Sequence, residues 1–74
     1  MKQTKFIIEK RKGRYLTDPD SDMMTATDVH AAAAFSENEA RRRCAELRKA
    51  MRRCAIDVGH FPRVVKVVTE TIVV

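Results

Sequence analysis

Seventy-four residues, 45% of them apolar and 34% charged, make one globular domain spanning 1–74, near the size at which a lone core suffices without staples. That composition excludes a disordered chain, and no apolar run approaches the roughly 20 residues of a membrane span. The formal charge of +5 is unevenly distributed. Residues 1–17 carry six Lys/Arg against Glu9. Residues 18–36 hold Asp18, Asp20, Asp22 and Asp28 with no Lys or Arg. Residues 37–54 set seven Arg/Lys against Glu37, Glu39 and Glu46.

The opening residues, Met1 to Glu9, lack the length and small-residue cleavage site of a secretion signal, so the sequence predicts a cytoplasmic protein. Lys5-Phe6-Ile7-Ile8-Glu9 is β-branched and aromatic, and Arg14-Tyr15-Leu16-Thr17 reads as its return. Between them Gly13 supplies the positive φ that a tight reversal needs, so the first unit is a β-hairpin. Asp18-Pro19-Asp20-Ser21-Asp22 is a turn, because Asp and Ser bond to nearby backbone and Pro fixes φ. Residues 23–26 read either as a short third strand or as a loop over the core edge.

Helix follows. Thr27 or Asp28 can cap a short helix through Val29 and the Ala31–Ala34 tract, and Ser36-Glu37-Asn38-Glu39 is a capping box that announces a new start. At about 100° per residue, Ala40, Cys44, Leu47, Met51 and Cys54 share one direction, whereas a continuous helix would turn Phe35 toward the charged side. The helix therefore breaks at Phe35, and a main helix of about residues 37–54 remains. Its opposite face carries Arg41, Arg42, Arg48, Lys49, Arg52 and Arg53. Acids in its first turn and cations in its last suit the helix dipole.

Cys44 and Cys54 lie ten residues apart in this helix, about 15 Å at 1.5 Å per residue. Disulfide partners need Cα atoms within about 7 Å, so the two read as unpaired core thiols. Beyond Pro62, Val64 to Val74 is the strongest strand signal in the chain. Val65, Val67, Thr69, Thr71 and Val73 point one way and carry no charge, so the sequence predicts that this face lies beneath the helix. Val64, Lys66, Val68, Glu70 and Ile72 point the other way, and Val64, Val68 and Ile72 form a candidate sheet interface.

The predicted fold is α+β: an antiparallel sheet of three strands, or four if residues 23–26 add one, with the main helix on one face in the order β-β-α-β. The predicted core is Phe6, Ile8, Tyr15, Phe35, Ala40, Cys44, Leu47, Met51, Val65 and Val67.

Lys12-Gly13-Arg14-Tyr15-Leu16-Thr17, followed by Ala32-x-x-Phe35-Ser36-x-x-Glu39-Ala40 and a Val-rich end, resembles small proteins of bacteriophages and mobile elements. In these a hairpin precedes a capped helix and a last strand. The resemblance covers most of the chain, but its motifs are structural: a turn glycine, a core aromatic and a helix cap. It implies the fold and a phage or mobile-element setting, and no catalytic residue travels with it. Some phage proteins of this size disable host defence complexes by binding them, and by analogy such inhibition is a role open to this chain.

Tests for chemistry return little. Asp18-x-Asp20-x-Asp22 matches the start of an EF-hand loop, but Met23 stands at the glycine position and Val29 at the final acid. Cys44, Cys54, His30 and His60 show none of the close spacings of a structural zinc site. Both cysteines sit on the apolar stripe rather than in the electropositive, accessible setting of a nucleophile. Two glycines, Gly13 and Gly59, cannot build a phosphate-cradling loop. The sequence predicts no catalytic residue, no metal, no cofactor and no small-molecule substrate.

The basic helix face, with Lys10, Arg11, Lys12 and Arg14 of the hairpin, is either a solvated surface or an electrostatic contact for phosphates or an acidic protein. Only four aromatic residues are present, and all suit the core or hairpin, so stacking platforms for single strands are lacking. Two functions are therefore expected. The first is a non-enzymatic protein-binding module, including a homodimer, acting through the open sheet face, the Val-rich strand or the basic helix. The second is a sequence-independent nucleic-acid binder using the basic face.

Overall fold

A computed structural model describes residues 2–54 and 59–72. In chain order it shows β1 (Lys2–Arg11), β2 (Arg14–Asp18), β3 (Ser21–Ala26), a 3-10 turn (Val29–Ala31), α1 (Glu37–Arg53) and β4 (Arg63–Glu70). The strands form one antiparallel sheet in the order β3-β2-β1-β4. The protein is thus α+β, a four-stranded sheet with one main helix. Residues 23–26 take the strand option, and the order becomes β-β-β-α-β.

Local chemistry explains the turns. Gly13 has φ +73° at the β1–β2 reversal, where a side chain would be strained. Asp18 Oδ1 accepts from Asp20 N–H at 2.8 Å in the turn before β3. Asp28 Oδ1 accepts from His30 N–H at 2.9 Å, and Ser36 Oγ accepts from Glu39 N–H at 3.2 Å to start α1. The short helix expected over the alanine tract does not form. Only Val29–Ala31 turns, as 3-10, and its C-cap Ala32 is extended. Tertiary bonds override alanine's helix propensity: Ala33 N–H donates to Leu16 O at 2.9 Å and Phe35 N–H to Phe6 O at 2.8 Å, tying the connector to the two strands it passes.

The core under α1 consists of Ile8, Leu16, Ala40, Cys44 and Leu47, with Phe6, Phe35 and Val64 packed against it; Met51 is also buried. Register fixes which side of β4 this is. Ile8 stands opposite Val64, and Ile7 opposite Val65. Side chains alternate across a strand, so Val64 faces the helix, while Val65 and Val67 lie on the other side and are only half-buried. The expected assignment of faces is therefore reversed. On β2 the buried residue is Leu16, and Tyr15 is half-buried.

The face away from α1 is also closed near its centre. Ile7 is completely buried there. Lys5, on the same face by alternation, reaches Ala32 O with its amine at 3.4 Å, which brings the connector to this side.

Beside Ile7 sits Glu9, a carboxylate only 4% exposed. It accepts from Gly13 N–H at 3.0 Å and from Arg63 Nε, and Tyr15 stands opposite it on β2. One side chain thereby ties β1 to the hairpin turn and to β4. Arg63 also lies over the Phe61 ring, 5.1 Å from its centroid. Burial works to raise the pKa of Glu9, but the Gly13, Arg63 and Tyr15 contacts outweigh it and hold the carboxyl below its ordinary value. A depressed carboxyl stabilises the fold above its unfolded-state pKa, and that stability is lost as pH falls through the folded value. Glu9→Gln is expected to cost about 1–3 kcal/mol at neutral pH, with the lower end favoured because Arg63 is half exposed. In urea titrations from about pH 7 down to pH 3, the wild type should converge on the variant as the acid limit is approached.

Candidate functional site

Two surfaces of this fold are the candidates: the charged side of α1 with the hairpin tip, and the two outer strands of the sheet.

Periodicity places Arg41, Arg42, Arg48, Lys49, Arg52 and Arg53 on one side of α1, but they are not equivalent there. Arg41 Nη2 donates to Glu37 Oε1 at 2.8 Å, one turn back. Arg42 Nη2 donates to both carboxylate oxygens of Glu39, at 3.0 and 3.1 Å. These pairs are solvated and locally neutral. Arg48 is half-buried and turns toward the chain before β4. Its Nε donates to Pro62 O at 2.8 Å and its Nη2 to His60 O at 2.7 Å, so it fastens the segment leading into β4 against the helix. The Phe61–Pro62 peptide between these carbonyls is cis, and Pro62 is fully buried. Lys49, Arg52 and Arg53 are the members of the set that remain exposed with no such contact in view.

The apolar side of the same end of α1, not these three cations, meets the hairpin. An open groove of about 330 Å³ is lined by Lys10, Arg11, Met23, Leu47, Ala50, Met51 and Cys54, so the C-terminal half of α1 and the β1–β2 hairpin share one end of the molecule. Arg11, Lys12 and Arg14 are exposed there. Lys10 and Arg11 of the hairpin thus border one side of an apolar groove whose other side is the apolar stripe of α1.

The outer strands hold the other feature. Among the described residues β3 and β4 end the sheet, and the large apolar side chains most open to solvent lie on or beside them: Met23 (82% exposed) and Met24 (59%) on β3, Val68 (53%) on β4 and Ile72 (76%) just beyond it. Of the candidate interface residues, Val64 is committed to the core under α1, whereas Val68 and Ile72 are open. Val64 and Val68 share the helix-facing side of the strand by alternation.

Cys54 departs from expectation. It is the C-cap of α1 and is exposed, while Cys44 is buried; both are free thiols. Burial pushes the Cys44 thiol up, and Arg48 nearby opposes this only in part, so Cys44 is held as the neutral thiol, the poorer nucleophile. His30 and His60 are exposed. Among the described residues no three His, Cys, Asp or Glu come together as a metal site, and no helix is long and apolar enough to cross a membrane.

The sequence pattern left two features unseen. The buried Glu9 gives no local signal beyond an acid within a cationic hairpin. Met23 and Met24 did carry one, since adjacent residues in a strand face opposite sides, so one of the two must leave the face that packs on the helix. Comparison with protein-family models, with curated proteins and with solved structures finds no match.

Arg48→Ala is expected to destabilise the protein by about 1–3 kcal/mol, through loss of two charge-assisted bonds to backbone carbonyls. Arg41→Ala should change stability by under about 0.5 kcal/mol, as exposed helix pairs do. Thermal or urea unfolding of the two variants side by side measures the difference.

Proposed function

We propose that this chain is a non-enzymatic protein-binding module that works by surface contact through its outer strands. The observation that carries this is the distribution of exposed apolar side chains: Met23, Met24, Val68 and Ile72 lie at the two margins of the sheet, where backbone N–H and C=O groups are open to pairing with another strand. A natural sheet margin is usually protected by charge or proline, and a margin bearing large apolar residues invites a partner. The resemblance of Lys12–Thr17 and Ala32–Ala40 to phage and mobile-element proteins supports an accessory role in such an element. A catalytic role has little to draw on: the buried cysteine is held neutral, and Glu9, the buried carboxylate among the described residues, is engaged in structure.

Affinity capture from lysate of the source cell, with wild type, Met24→Lys and Val68→Lys run in parallel, tests this. The module should retain a partner that at least one variant loses. Identical captured sets from all three proteins, or none from any, contradict the proposal.

A second reading is favoured by the exposed cations at the end of α1 and at the hairpin tip. Lys49, Arg52 and Arg53 with Arg11, Lys12 and Arg14 would contact a nucleic-acid backbone without reading its sequence. A gel-shift titration decides. Binding at low salt that weakens steeply as salt rises, and that is abolished by Arg52→Glu with Arg53→Glu, supports it. No binding at low salt rules it out.

A further inference from the structure

We propose that the outer margin of β4 pairs with β4 of a second copy of this chain, antiparallel and with Val68 opposite Val68, joining the two sheets into one of eight strands. The proposal rests on the contact reading above and names the partner for one of its margins.

Parity and charge select the register. When opposed residues lie an even number of positions from symmetry, both helices fall on the same side of the joined sheet, because opposed side chains share a face. The helix side of β4 reads Val64, Lys66, Val68 and Glu70, and continuing the strand by two residues would add Ile72. Centring the axis on Val68 sets Lys66 against Glu70 twice, Val68 against its mate, and Val64 against Ile72 twice. On the other side Val67 meets Thr69, a favourable β-branched pair.

The neighbouring registers of the same parity are poorer. Centring on Val67 opposes Val64 to Glu70 and Val68 to Lys66, and centring on Thr69 opposes Val68 to Glu70 and Lys66 to Ile72. Centring on Lys66 or on Glu70 sets like charges face to face, which is destabilising. Glu70 already stands opposite Lys2 on β1, so the chosen register places it between two cations.

Shape agrees at the ends of the pairing. Ile72 is 76% exposed and lies two residues past the end of β4. In this register it arrives beside Val64 of the other copy. A groove of about 420 Å³ opens there, lined by Phe6, Glu37, Arg41, Val64 and Lys66, with room for an isoleucine side chain under the flank of α1. Pairing extends β4 to Ile72 and removes from water the two exposed apolar residues on this margin.

Sedimentation equilibrium over micromolar to millimolar protein tests the inference, with wild type, Lys66→Glu, Glu70→Lys and the double exchange. The wild type should dimerise. Each single variant creates two like-charge pairs per dimer and should weaken dimerisation by about tenfold, and the double exchange should return it to within about threefold of wild type. Circular dichroism of each variant checks that the fold persists, since Glu70→Lys also faces Lys2. As an independent measure of register, Val68→Cys in a Cys54→Ser background should oxidise to an intermolecular disulfide, while Val65→Cys, whose mates lie far apart in this register, should not. A wild type that stays monomeric overturns the inference, as do single variants without effect or a double exchange without recovery. Because the capture experiment reads partners other than self, a monomer that still retains a Val68-dependent partner would remove this inference and leave the broader proposal standing.

Discussion

Ile8 lies opposite Val64 beneath α1, and the remaining architecture follows from that pairing. A strand has two faces and a period of two, so one cross-strand partnership decides which half of β4 is covered and which is open. Because Val64 is committed to the helix side, Val65 and Val67 face the same way as Ile7 and Glu9. The exposed Val68 then lies on the helix side, but beyond the helix's reach at the margin of the sheet. The apolar surplus of the last strand is consequently a rim beside the helix rather than a bare face behind it. A rim with open backbone groups suits strand addition, whereas a bare face would suit a flat docking surface.

The charged side of the helix shows how local geometry reassigns residues that periodicity treats as equals. Arg41 and Arg42 have acids one turn back and pair with them. Arg48 is drawn onto the carbonyls of His60 and Pro62, which serves packing rather than solubility. The cations left exposed without such contacts are Lys49, Arg52 and Arg53 near the end of α1, and the apolar side of that end meets the hairpin. Glu9 plays the complementary part on the opposite face. A single buried acid collects donors from the turn and from β4, so the hairpin and the distant C-terminal strand are held by one charge centre.

Punctuation was legible in the sequence because it depends on neighbours. Gly13 marked the hairpin turn, Asp18 its own turn, Ser36 the start of α1, and the stripe Ala40–Cys44–Leu47–Met51 its buried side. What could not be read depends on residues far apart in the chain. The face of β4 was ambiguous because valines occur on both sides, and the charges of Lys66 and Glu70 tipped the balance the wrong way: both are exposed at the margin of the helix side with their charges in water. Ile7 was missed for the same reason, since both faces of β1 are filled at its centre. The alanine tract has high helix propensity, yet its backbone bonds to Leu16 and Phe6 favour an extended path. Cys54 fell on the stripe by angle, but it lies at the helix cap, where the core has ended.

The assignment of β4's two faces is tested most directly by methyl-detected nuclear Overhauser spectroscopy on valine-labelled protein. Val64 methyl groups should show cross-peaks to Ala40, Cys44 or Leu47 of α1, and Val65 methyl groups should show them to Ile7 and to none of those helix residues. Cross-peaks from Val65 to the helix, with Val64 silent, would reverse the sheet and remove the apolar rim on which the functional account is built.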